Sequence, residues 1–349
     1  MRVAIDTTPL QSGHKLRGIG FYTGQLIEAL KRYENKHSYQ FFTRGQIVPE
    51  NADLVHYPYF DPFFFTLPLS KPKPTVVTVH DLIPIAYSQN FPRGIRGELK
   101  WQTQKLSLQK ARAVITDSNA SKQDIHTFTG FPLESISVVY LAPSEIFRPM
   151  RDTKNLTEVS KRLLLPNRFI LYVGDVNWNK NISGLLRAFT IVQKKIDDLK
   201  LILVGKQFLN KELEETQIIN ALINSLGINS YIVRPGFVDE NDLASVYSLA
   251  TVYIQPSFAE GFGFPILEAM ACGCPVVAAN TSSLPEIAGP SKLVNPARPE
   301  AIADGLFWVF GMSATERRKL VQEGNQWLKR FSWRKVARET VAVYEKTLD

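Results

Sequence analysis

Short runs of apolar and often β-branched residues alternate with segments of helical spacing along most of the chain. Such runs, bounded by turn residues, predict buried strands. Six runs lie in the first half and six in the second: RVAIDTT, QFFTR, LVHYPYF, TVVTVHD, AVITDSN and ISVVYLA, then FILYVGDV, LKLILVG, YIVRPGFV, TVYIQPS, PVVAAN and KLVNP. Apolar strands separated by helices are typical of parallel sheets covered on both faces. The pattern predicts an α/β fold of two Rossmann-like domains that face a central cleft.

The alternation stops between residues 143 and 167, a stretch with three prolines that we interpret as a linker zone. We therefore expect one domain over residues 1–160 and a second over residues 161–332. The final segment, SWRKVARETVAVYEKTL, starts with a serine suited to an N-cap and carries an apolar stripe through Val336, Val341, Val343 and Leu348. It predicts a terminal helix over residues 333–349. A chain of 349 residues, 44% of them hydrophobic, agrees with two cores rather than one.

Composition narrows the expected compartment and the chemistry. No run approaches the ~20 apolar residues that span a bilayer, and the first residues follow a strand pattern where a signal peptide would show an apolar leader. We therefore expect a cytoplasmic protein. Its two cysteines, Cys272 and Cys274, have no further Cys or His at zinc spacing, which favours buried thiols over a metal site or a disulfide framework.

A net charge of +8 and a pI near 9.3 are compatible with nucleic acid, an anionic membrane surface or a phosphate-bearing substrate as the partner. Lys and Arg are spread along the chain, and the sequence has no recognisable nucleic-acid-binding module. Nucleic acid is therefore the least favoured of the three partners.

Two glutamates bracket the run EGFGFPILE, which follows the predicted strand TVYIQPS and passes into a helix near Pro265. Ligands of open α/β sheets bind at the carboxyl ends of the strands. Gly261 and Gly263 allow a backbone to approach a pyrophosphate or a sugar hydroxyl closely. Because carboxylates only accept hydrogen bonds, Glu260 and Glu268 could hold two diols, one on a sugar and one on a ribose. The alternative for Glu268 is a first-turn acid that complements the helix dipole.

Three other strand ends carry candidate residues. Lys180 follows LYVGDVNWN at a predicted helix N-terminus. A cation is disfavoured there unless an anion such as a diphosphate lies beside it. The alternative is that Lys180 is a solvated surface lysine. His80 and Asp81 follow the strand TVVTV, and their alternatives are a structural histidine and a turn-capping aspartate. A glycine turn with Gly18 and Gly20 opens a helix after the first strand, which is weak evidence alone.

With these motifs in this order, the chain resembles the retaining glycosyltransferases of family 4, the group 1 glycosyltransferases, over nearly its whole length. The most specific element is E-x7-E within SFAEGFGFPILEAMACGCPVVAANTSSLPEIAG; RGIGFYTGQL, VTVHDLIP and FSWRKVARETVAVYEKTL are also similar. The resemblance implies the GT-B fold, with an acceptor-binding first domain and a nucleotide-sugar-binding second domain. It also implies that the terminal helix packs back on the first domain.

The same resemblance implies roles for the residues at the strand ends. Glu260 would contact the donor sugar, Glu268 the nucleotide ribose, Lys180 the phosphates and His80 the sugar, and we expect Glu260, Lys180 and His80 to be catalytic. The expected donor-binding residues are Glu268, Gly261, Phe262, Gly263, Phe264, Gly174, Gly18, Gly20, Asp81 and Val238.

Two positions depart from the family pattern. Asp175 stands where many members carry an Arg, and Asn179 stands where a closer branch carries one. The positive charge that would neutralise a leaving diphosphate is thus reduced to Lys180 in this loop. Arg17 and Arg234 are candidates to compensate.

We therefore expect transfer of a hexose, of mannosyl, rhamnosyl or glucosyl type, from a nucleoside-diphosphate sugar to a glycan or polyprenyl-linked glycan in cell-surface polysaccharide assembly. The resemblance implies retention at the anomeric carbon, and front-face departure and a covalent intermediate both stay open. No D-x-D motif follows a strand, so we expect neither a metal nor any other cofactor.

The aromatic run HYPYFDPFFFTLPL follows a strand of the first domain, and aromatic faces suit sugars or a lipid surface. We expect Tyr57, Tyr59 and Phe60 to bind the acceptor; the alternative is an aromatic loop folded into the domain. Five basic residues nearby could face an anionic bilayer in peripheral contact on the inner membrane face. They are Arg93, Arg96, Lys100, Lys105 and Lys110.

Other classes of protein stay open at this point. A glycoside hydrolase or phosphorylase also uses two acids, but they must flank one bond. A dinucleotide-dependent oxidoreductase would want G-x-G-x-x-G after its first strand, and RGIGFYTG does not fit that fingerprint. A non-catalytic protein that binds nucleotide sugars or glycans is the third alternative, because the missing Arg could weaken turnover and spare binding.

Overall fold

The computed structural model describes residues 1–11 and 18–349, and the chain divides into two compact units. The first unit comprises residues 1–142 and 331–349, and the second comprises residues 143–330. Every one of the twelve predicted strands is present.

The first unit is a parallel sheet with helices between its strands. Its elements up to residue 142 are β1 (Arg2–Asp6), α1 (Ile19–Tyr33), β2 (Ser38–Phe42), β3 (Leu54–Tyr57), β4 (Thr75–Thr78), α2 (Ile83–Ala86), α3 (Gly94–Gln109), β5 (Ala113–Thr116), α4 (Asn119–Thr129) and β6 (Ile136–Val138). The sheet order is β2-β1-β3-β4-β5-β6, with every pair parallel. All residues of β3 and β4 are buried, as expected of strands covered on both faces.

The second unit repeats this architecture. Its elements are α5 (Thr153–Arg162), β7 (Phe169–Val173), α6 (Ile182–Gln193), β8 (Lys200–Val204), α7 (Glu214–Leu226), β9 (Ile232–Gly236), α8 (Glu240–Leu249), β10 (Val252–Gln255), α9 (Phe264–Ala271), β11 (Val276–Ala279), α10 (Leu284–Ile287), β12 (Lys292–Val294), α11 (Pro299–Phe310) and α12 (Ala314–Leu328). The sheet order is β12-β11-β10-β7-β8-β9, again parallel throughout. The central strands β7 and β10 are buried along their whole length.

The boundary expected at residues 160/161 is wrong, because the two units divide at residues 142/143. The reason is that α5, inside the expected linker zone, packs on α8 of the second unit. Ser245 Oγ donates to Asn155 Oδ1 at 3.1 Å, and Arg162 forms an ion pair with Asp242 at 2.6 Å. The side chain of Asp152 caps α5 by accepting from two backbone N–H groups of its first turn.

The last helix, α13 (Trp333–Leu348), belongs to the first unit although the chain reaches it after the second. Ser332 caps it by accepting from Lys335 N, and it packs against α1. The ring of Trp333 meets Phe21 of α1 edge to face, with centroids 6.1 Å apart. Each helix among the described residues is too short or too polar to cross a bilayer.

Candidate active site

The strand order of the second sheet creates a point where the chain reverses its direction of winding. From β7 the chain proceeds outward through β8 and β9, then returns to the other side of β7 with β10, β11 and β12. In open α/β sheets the carboxyl ends of the strands at such a point form the ligand site. Lys180 lies in the loop after β7 and Glu260 in the loop after β10, so the fold brings these two predicted residues together.

Lys180 and Glu260 form a direct ion pair. Lys180 Nζ donates to Glu260 Oε2 at 2.7 Å and to Oε1 at 2.9 Å. Oε1 also accepts from Gln255 Nε2 at 2.6 Å and from Ser257 Oγ at 2.7 Å. Glu260 is only 8% exposed, yet within the described chain Oε2 has Lys180 as its one hydrogen-bond donor. Oε2 therefore keeps the capacity to accept from one more hydroxyl.

Side chains that flank Lys180 fasten its loop to the loop after β10. Asn179 Nδ2 donates to the Ala259 carbonyl at 2.9 Å, and Phe258 N donates to the Asn179 carbonyl at 2.8 Å. The rings of Trp178 and Phe258 stack with centroids 5.1 Å apart. Asn179, one of the two departures from the family pattern, thus has a structural role that holds Lys180 beside Glu260.

Asn181 ends the turn that carries Lys180 and begins α6. It adopts the left-handed conformation at φ 54°, which asparagine tolerates better than most residues. Its Oδ1 accepts from Gly184 N and its Nδ2 donates to the carbonyls of Pro256 and Pro296. Lys180 therefore lies at a helix N-terminus, as predicted, but the anionic group beside it in this structure is Glu260.

The glycine-rich run after Glu260 is held by two serines of the following loop. Ser282 Oγ and Ser283 Oγ both donate to the Glu260 carbonyl, and Ser283 Oγ also donates to that of Phe262. Gly263 has φ 106°, and a Cβ there would meet Leu284 Cδ2 at 2.8 Å. Both the backbone conformation and the space demand glycine at this position.

Glu268 is the fifth residue of α9, past the first turn, so the alternative that it complements the helix dipole is wrong. The hydroxyl of Tyr247 donates to Glu268 Oε2 at 2.9 Å. Burial, and then the charge of Glu268, raise the pKa of Tyr247 well above its usual value, so this phenol stays a neutral donor. Tyr247 thus orients the carboxylate that we expect to meet the ribose.

Other expected donor-binding residues of the second unit are buried or have backbone groups that are already hydrogen-bonded. The N–H of Gly174 donates to the Val204 carbonyl at 3.0 Å, so it is not free for a phosphate. Gly261 and Phe262 are buried, and the rings of Phe262 and Phe264 meet edge to face at 5.3 Å. Val238 is buried in the segment after β9.

Of the two candidates to replace the missing Arg, Arg234 is within the described residues and is hydrogen-bonded away from the cluster. Asp175 turns its carboxylate onto Val176 N at 2.8 Å. Arg234 lies on the edge strand β9, separated from β7 by β8, and donates to Asn220 at 2.6 Å. Arg17 lies outside the described residues.

In the first unit, the fold pairs His80 with a carboxylate from the neighbouring strand. His80 follows β4 and Asp117 follows β5, and Nδ1 of the imidazole lies 2.6 Å from Asp117 Oδ2. Burial lowers the pKa of His80, but the charge and hydrogen bond of Asp117 outweigh it, so this pKa lies above its usual value. Burial raises the pKa of the Asp117 carboxyl, and His80 offsets this only in part.

Two buried atoms of this pair have no hydrogen-bond partner within the described chain. They are His80 Nε2 and Asp117 Oδ1. The Pro58 carbonyl also favours the charged imidazole electrostatically but completes no hydrogen bond to Nε2. With Nδ1 held by Asp117, Nε2 is the atom that a ligand hydroxyl could meet.

Tyr22, whose ring packs on His80, belongs to a buried chain of hydrogen bonds. The ring of Tyr22 in α1 meets His80 edge to face, with centroids 4.6 Å apart. Tyr22 OH bonds Thr78 Oγ1, Thr78 Oγ1 bonds His56 Nε2, and His56 Nδ1 bonds Tyr344 OH at 2.7 Å. The terminal helix α13, through Tyr344, is therefore connected to the element that packs against His80.

Other predictions in the first unit need correction. Tyr57 and Phe60 lie in the hydrophobic core, and Tyr59 is half-buried with its hydroxyl donating to Asp61 at 2.6 Å. The alternative of an aromatic loop folded into the domain thus describes Tyr57 and Phe60, because their rings fill the space beside the sheet. Asp81 accepts from Ile83 N and caps the turn into α2, as its alternative reading predicted.

The glycines of the N-terminal turn lie at the start of α1. Gly18 is the N-cap with φ 60°, and Gly20 is buried in the first turn of the helix. Tyr22, which packs on His80, follows two residues later. The turn and His80 are thus neighbours in the same unit.

Sequence reasoning missed the residues that position the predicted ones: Asp117, Gln255, Ser257, Ser283 and Tyr247. Asp117 carried a usable signal, because it directly follows a predicted strand just as His80 does. Gln255 and Ser257 also flank a strand end. Nothing local marked Tyr247, which lies in the last turn of a helix.

Two family models match the chain. The model described as Glycosyltransferase Family 4 matches residues 11–142, and that of Glycosyl transferases group 1 matches residues 157–327. The chain is also 30% identical over 351 residues to the O-antigen chain mannosyltransferase B of Escherichia coli, covering 93% of this chain and 89% of that protein.

Solved structures share the fold over nearly the whole chain. Sucrose-phosphate synthase from Thermosynechococcus elongatus superposes with a TM-score of 0.78 at 20% identity, covering 99% of this chain and 98% of that one. Anabaena HepE in complex with UDP-glucose gives 0.74 at 18% identity, covering 99% of both chains. The predicted two-domain Rossmann-like α/β fold of the GT-B type is confirmed.

Proposed function

Because the chain belongs to the group 1 glycosyltransferases of family 4, we propose that it transfers a hexose from a nucleoside-diphosphate sugar to a glycan or lipid-linked glycan, with retention at the anomeric carbon. That it is a glycosyltransferase of polysaccharide synthesis follows from the family, and the hydrolase, oxidoreductase and binding-protein alternatives are set aside. The sugar is of mannosyl, rhamnosyl or glucosyl type, and the Escherichia coli mannosyltransferase supports the first of these.

The observation that carries the donor assignment is the Lys180–Glu260 pair at the carboxyl ends of β7 and β10. A carboxylate alone would repel a diphosphate, whereas this one is neutralised by Lys180. Lys180 Nζ has three N–H groups, so it can keep Glu260 and still donate to a phosphate oxygen. Glu260 Oε2 then accepts from a sugar hydroxyl, and the N–H groups of the glycine-rich run bind the phosphates.

Glu268 and His80 complete the proposed set of contacts. Glu268, oriented by Tyr247, accepts from the ribose hydroxyls. In the first unit, His80 Nε2 is the group that would donate to a ligand hydroxyl, since Asp117 holds Nδ1 and favours the charged ring. In the overall transfer the bond between the anomeric carbon and the diphosphate oxygen breaks, the anomeric carbon bonds to the acceptor oxygen instead, and the acceptor hydroxyl releases its proton. Lys180 stabilises the charge that develops on the leaving diphosphate.

We further infer that turnover requires no divalent metal, because Lys180 supplies positive charge where the diphosphate would bind. Turnover that survives complete chelation with EDTA is the expected result. Loss of turnover on chelation, restored by one added metal, would contradict it.

The compartment proposed for the reaction is the cytoplasm. Cys272 and Cys274 are both free and buried, which agrees with a reducing environment. Burial raises the pKa of Cys274 to about 12, so its thiol is unreactive.

The direct test is a thermal-shift panel of nucleoside diphosphates and their sugars on the wild type, Glu268→Ala and Tyr247→Phe, with the exposed acid variant Glu323→Ala as control. We expect one nucleotide family to raise the midpoint, no shift in Glu268→Ala, and a reduced shift in Tyr247→Phe. The control should match the wild type. No shift with any nucleotide would overturn the donor assignment.

The donor so identified is then used for turnover. Incubation with candidate acceptors and NMR of the product tests retention directly, since the anomeric configuration of donor and product must agree. An inverted product would exclude the retaining mechanism and leave the donor site intact.

A further inference from the structure

One face of α3 exposes large apolar side chains. Ile95, Leu99 and Leu106 are 83%, 64% and 58% exposed. At 3.6 residues per turn, their spacing places them within about 40° of one another around the helix. Trp101 and Leu108, on the opposite side, are buried in the core of the first unit. An apolar stripe facing water on a helix marks an interaction surface.

The loop beside α3 enlarges this stripe. Phe64, Phe65 and Leu69 are between 50% and 63% exposed. Gln104 fastens the loop to α3, because its side-chain oxygen accepts from the N–H groups of Thr66 and Leu67 at 2.9 and 3.0 Å. Six of the sixteen exposed large apolar side chains among the described residues therefore lie on α3 and this loop, which we name the α3 surface.

The α3 surface has a strongly positive rim. Residues 93–110 contain five basic residues and one acidic residue, Glu98, which is paired with Arg93 at 2.6 Å. Helical spacing puts Arg96, Lys100 and Lys110 on one side of the apolar stripe and Lys105 on the other. Lys100 Nζ lies over the ring of Phe64, 5.5 Å from its centroid.

We propose that the α3 surface docks on an anionic lipid bilayer. The apolar stripe with Phe64 and Phe65 enters the headgroup and acyl boundary, and the basic rim binds lipid phosphates, which is the arrangement of an interfacial amphipathic helix. A second copy of this chain would bring two basic rims together and be repelled. Docking of this kind would bring the enzyme to lipid-linked acceptors, and it is independent of which sugar is transferred.

The test is co-sedimentation of the full chain with vesicles of phosphatidylcholine alone and of phosphatidylcholine with an equal amount of phosphatidylglycerol. Binding only to the second is expected, weakened by salt. Ile95→Gln with Leu99→Gln should reduce it at least tenfold. Arg96→Gln with Lys100→Gln should reduce it roughly 30-fold. Leu209→Gln with Ile218→Gln, which changes side chains that are 56% and 54% exposed in the second unit, should bind like the wild type.

The outcomes of this experiment test membrane docking and not donor binding. Absence of binding to phosphatidylglycerol vesicles, or binding that Ile95→Gln with Leu99→Gln leaves unchanged, would overturn it. Sedimentation velocity that shows a dimer dispersed by the same variant, without vesicle binding, would replace the bilayer by a second copy. Nucleotide-induced thermal shifts of all variants should equal that of the wild type, so failure of docking and failure of donor binding are distinguishable.

Discussion

Each unit has a pair of ionisable residues at the carboxyl ends of neighbouring parallel strands. The pair in the second unit is more completely hydrogen-bonded than the pair in the first. Lys180 and Glu260 meet at 2.7 Å, with Gln255 and Ser257 also donating to the carboxylate. His80 and Asp117 meet at 2.6 Å, yet His80 Nε2 and Asp117 Oδ1 lack partners within the described structure.

This difference in hydrogen bonding indicates that the two pairs have different roles. The pair in the second unit is organised before any ligand arrives, and its hydrogen bonds fix where a donor would bind. The pair in the first unit has unmet hydrogen-bonding capacity, which a ligand or water would satisfy. A buried group without its partner costs free energy, so ligand binding to His80 would recover some of it.

The largest expected effect comes from breaking the pair in the second unit. Lys180→Gln or Glu260→Gln should each lower kcat at least about a hundredfold, because transition-state charge is no longer stabilised. Each should also cost about 2 kcal/mol of unfolding free energy, since one charge stays buried and unpaired. Steady-state kinetics and urea unfolding measure the two quantities.

The double variant separates the two effects. Lys180→Gln with Glu260→Gln should recover most of the stability and none of the turnover. Neutralising the exposed pair Lys319 and Glu323, 3.9 Å apart, is the matched control and should cost at most about 0.5 kcal/mol. Recovered turnover in the double variant would exclude a chemical role for the pair.

A smaller effect is expected in the first unit from Asp117→Asn. Without the carboxylate, His80 loses both its orientation and the cause of its raised pKa, so kcat/KM should fall about tenfold to a hundredfold. NMR titration should show the His80 pKa falling relative to the wild type. Asp124→Asn, in α4 of the same unit, should change neither quantity, and an unchanged His80 pKa in Asp117→Asn would contradict the pairing.

Glycines with positive φ offer a third comparison between the units. Gly263→Ala should cost about 2 kcal/mol, because φ is 106° and Leu284 and Ile287 crowd the new methyl group. Gly18→Ala should cost about 1 kcal/mol, since φ is 60° but no atom lies within 4 Å. Equal losses by urea unfolding would show that the crowding at Gly263 is relieved.

The last effect is spread over several pH units and concerns His56. Burial lowers the pKa of His56 from 6.5 to about 3, so the folded state keeps this ring neutral while the unfolded state protonates it. Above pH 6.5 the titration of His56 costs no free energy of unfolding. As pH falls from 6.5 toward 3, it lowers the free energy of unfolding by roughly 1 kcal/mol per pH unit. His56→Gln should therefore show a shallower decline in urea unfolding between pH 6.5 and 4. A decline as steep as that of the wild type would assign acid sensitivity to other groups.

The sequence was sufficient to locate the strands and the polar residues at their ends. Strand positions follow from local runs of apolar residues, and E-x7-E places Glu260 in a loop and Glu268 on the next helix without any tertiary information. The domain boundary was harder, because α5 is a regular helix whose membership depends on the helix it packs against.

Tertiary structure alone decided which residues support the predicted ones. Asp117 lies 37 positions from His80, and Ser283 lies 23 positions from the carbonyl it holds at Glu260. Such partners are set by strand order and register, which depend on the packing of the whole sheet rather than on any local pattern. The same packing buried Tyr57 and Phe60 and left Ile95, Leu99 and Leu106 exposed, since burial is a property of the assembled layers and not of residue type.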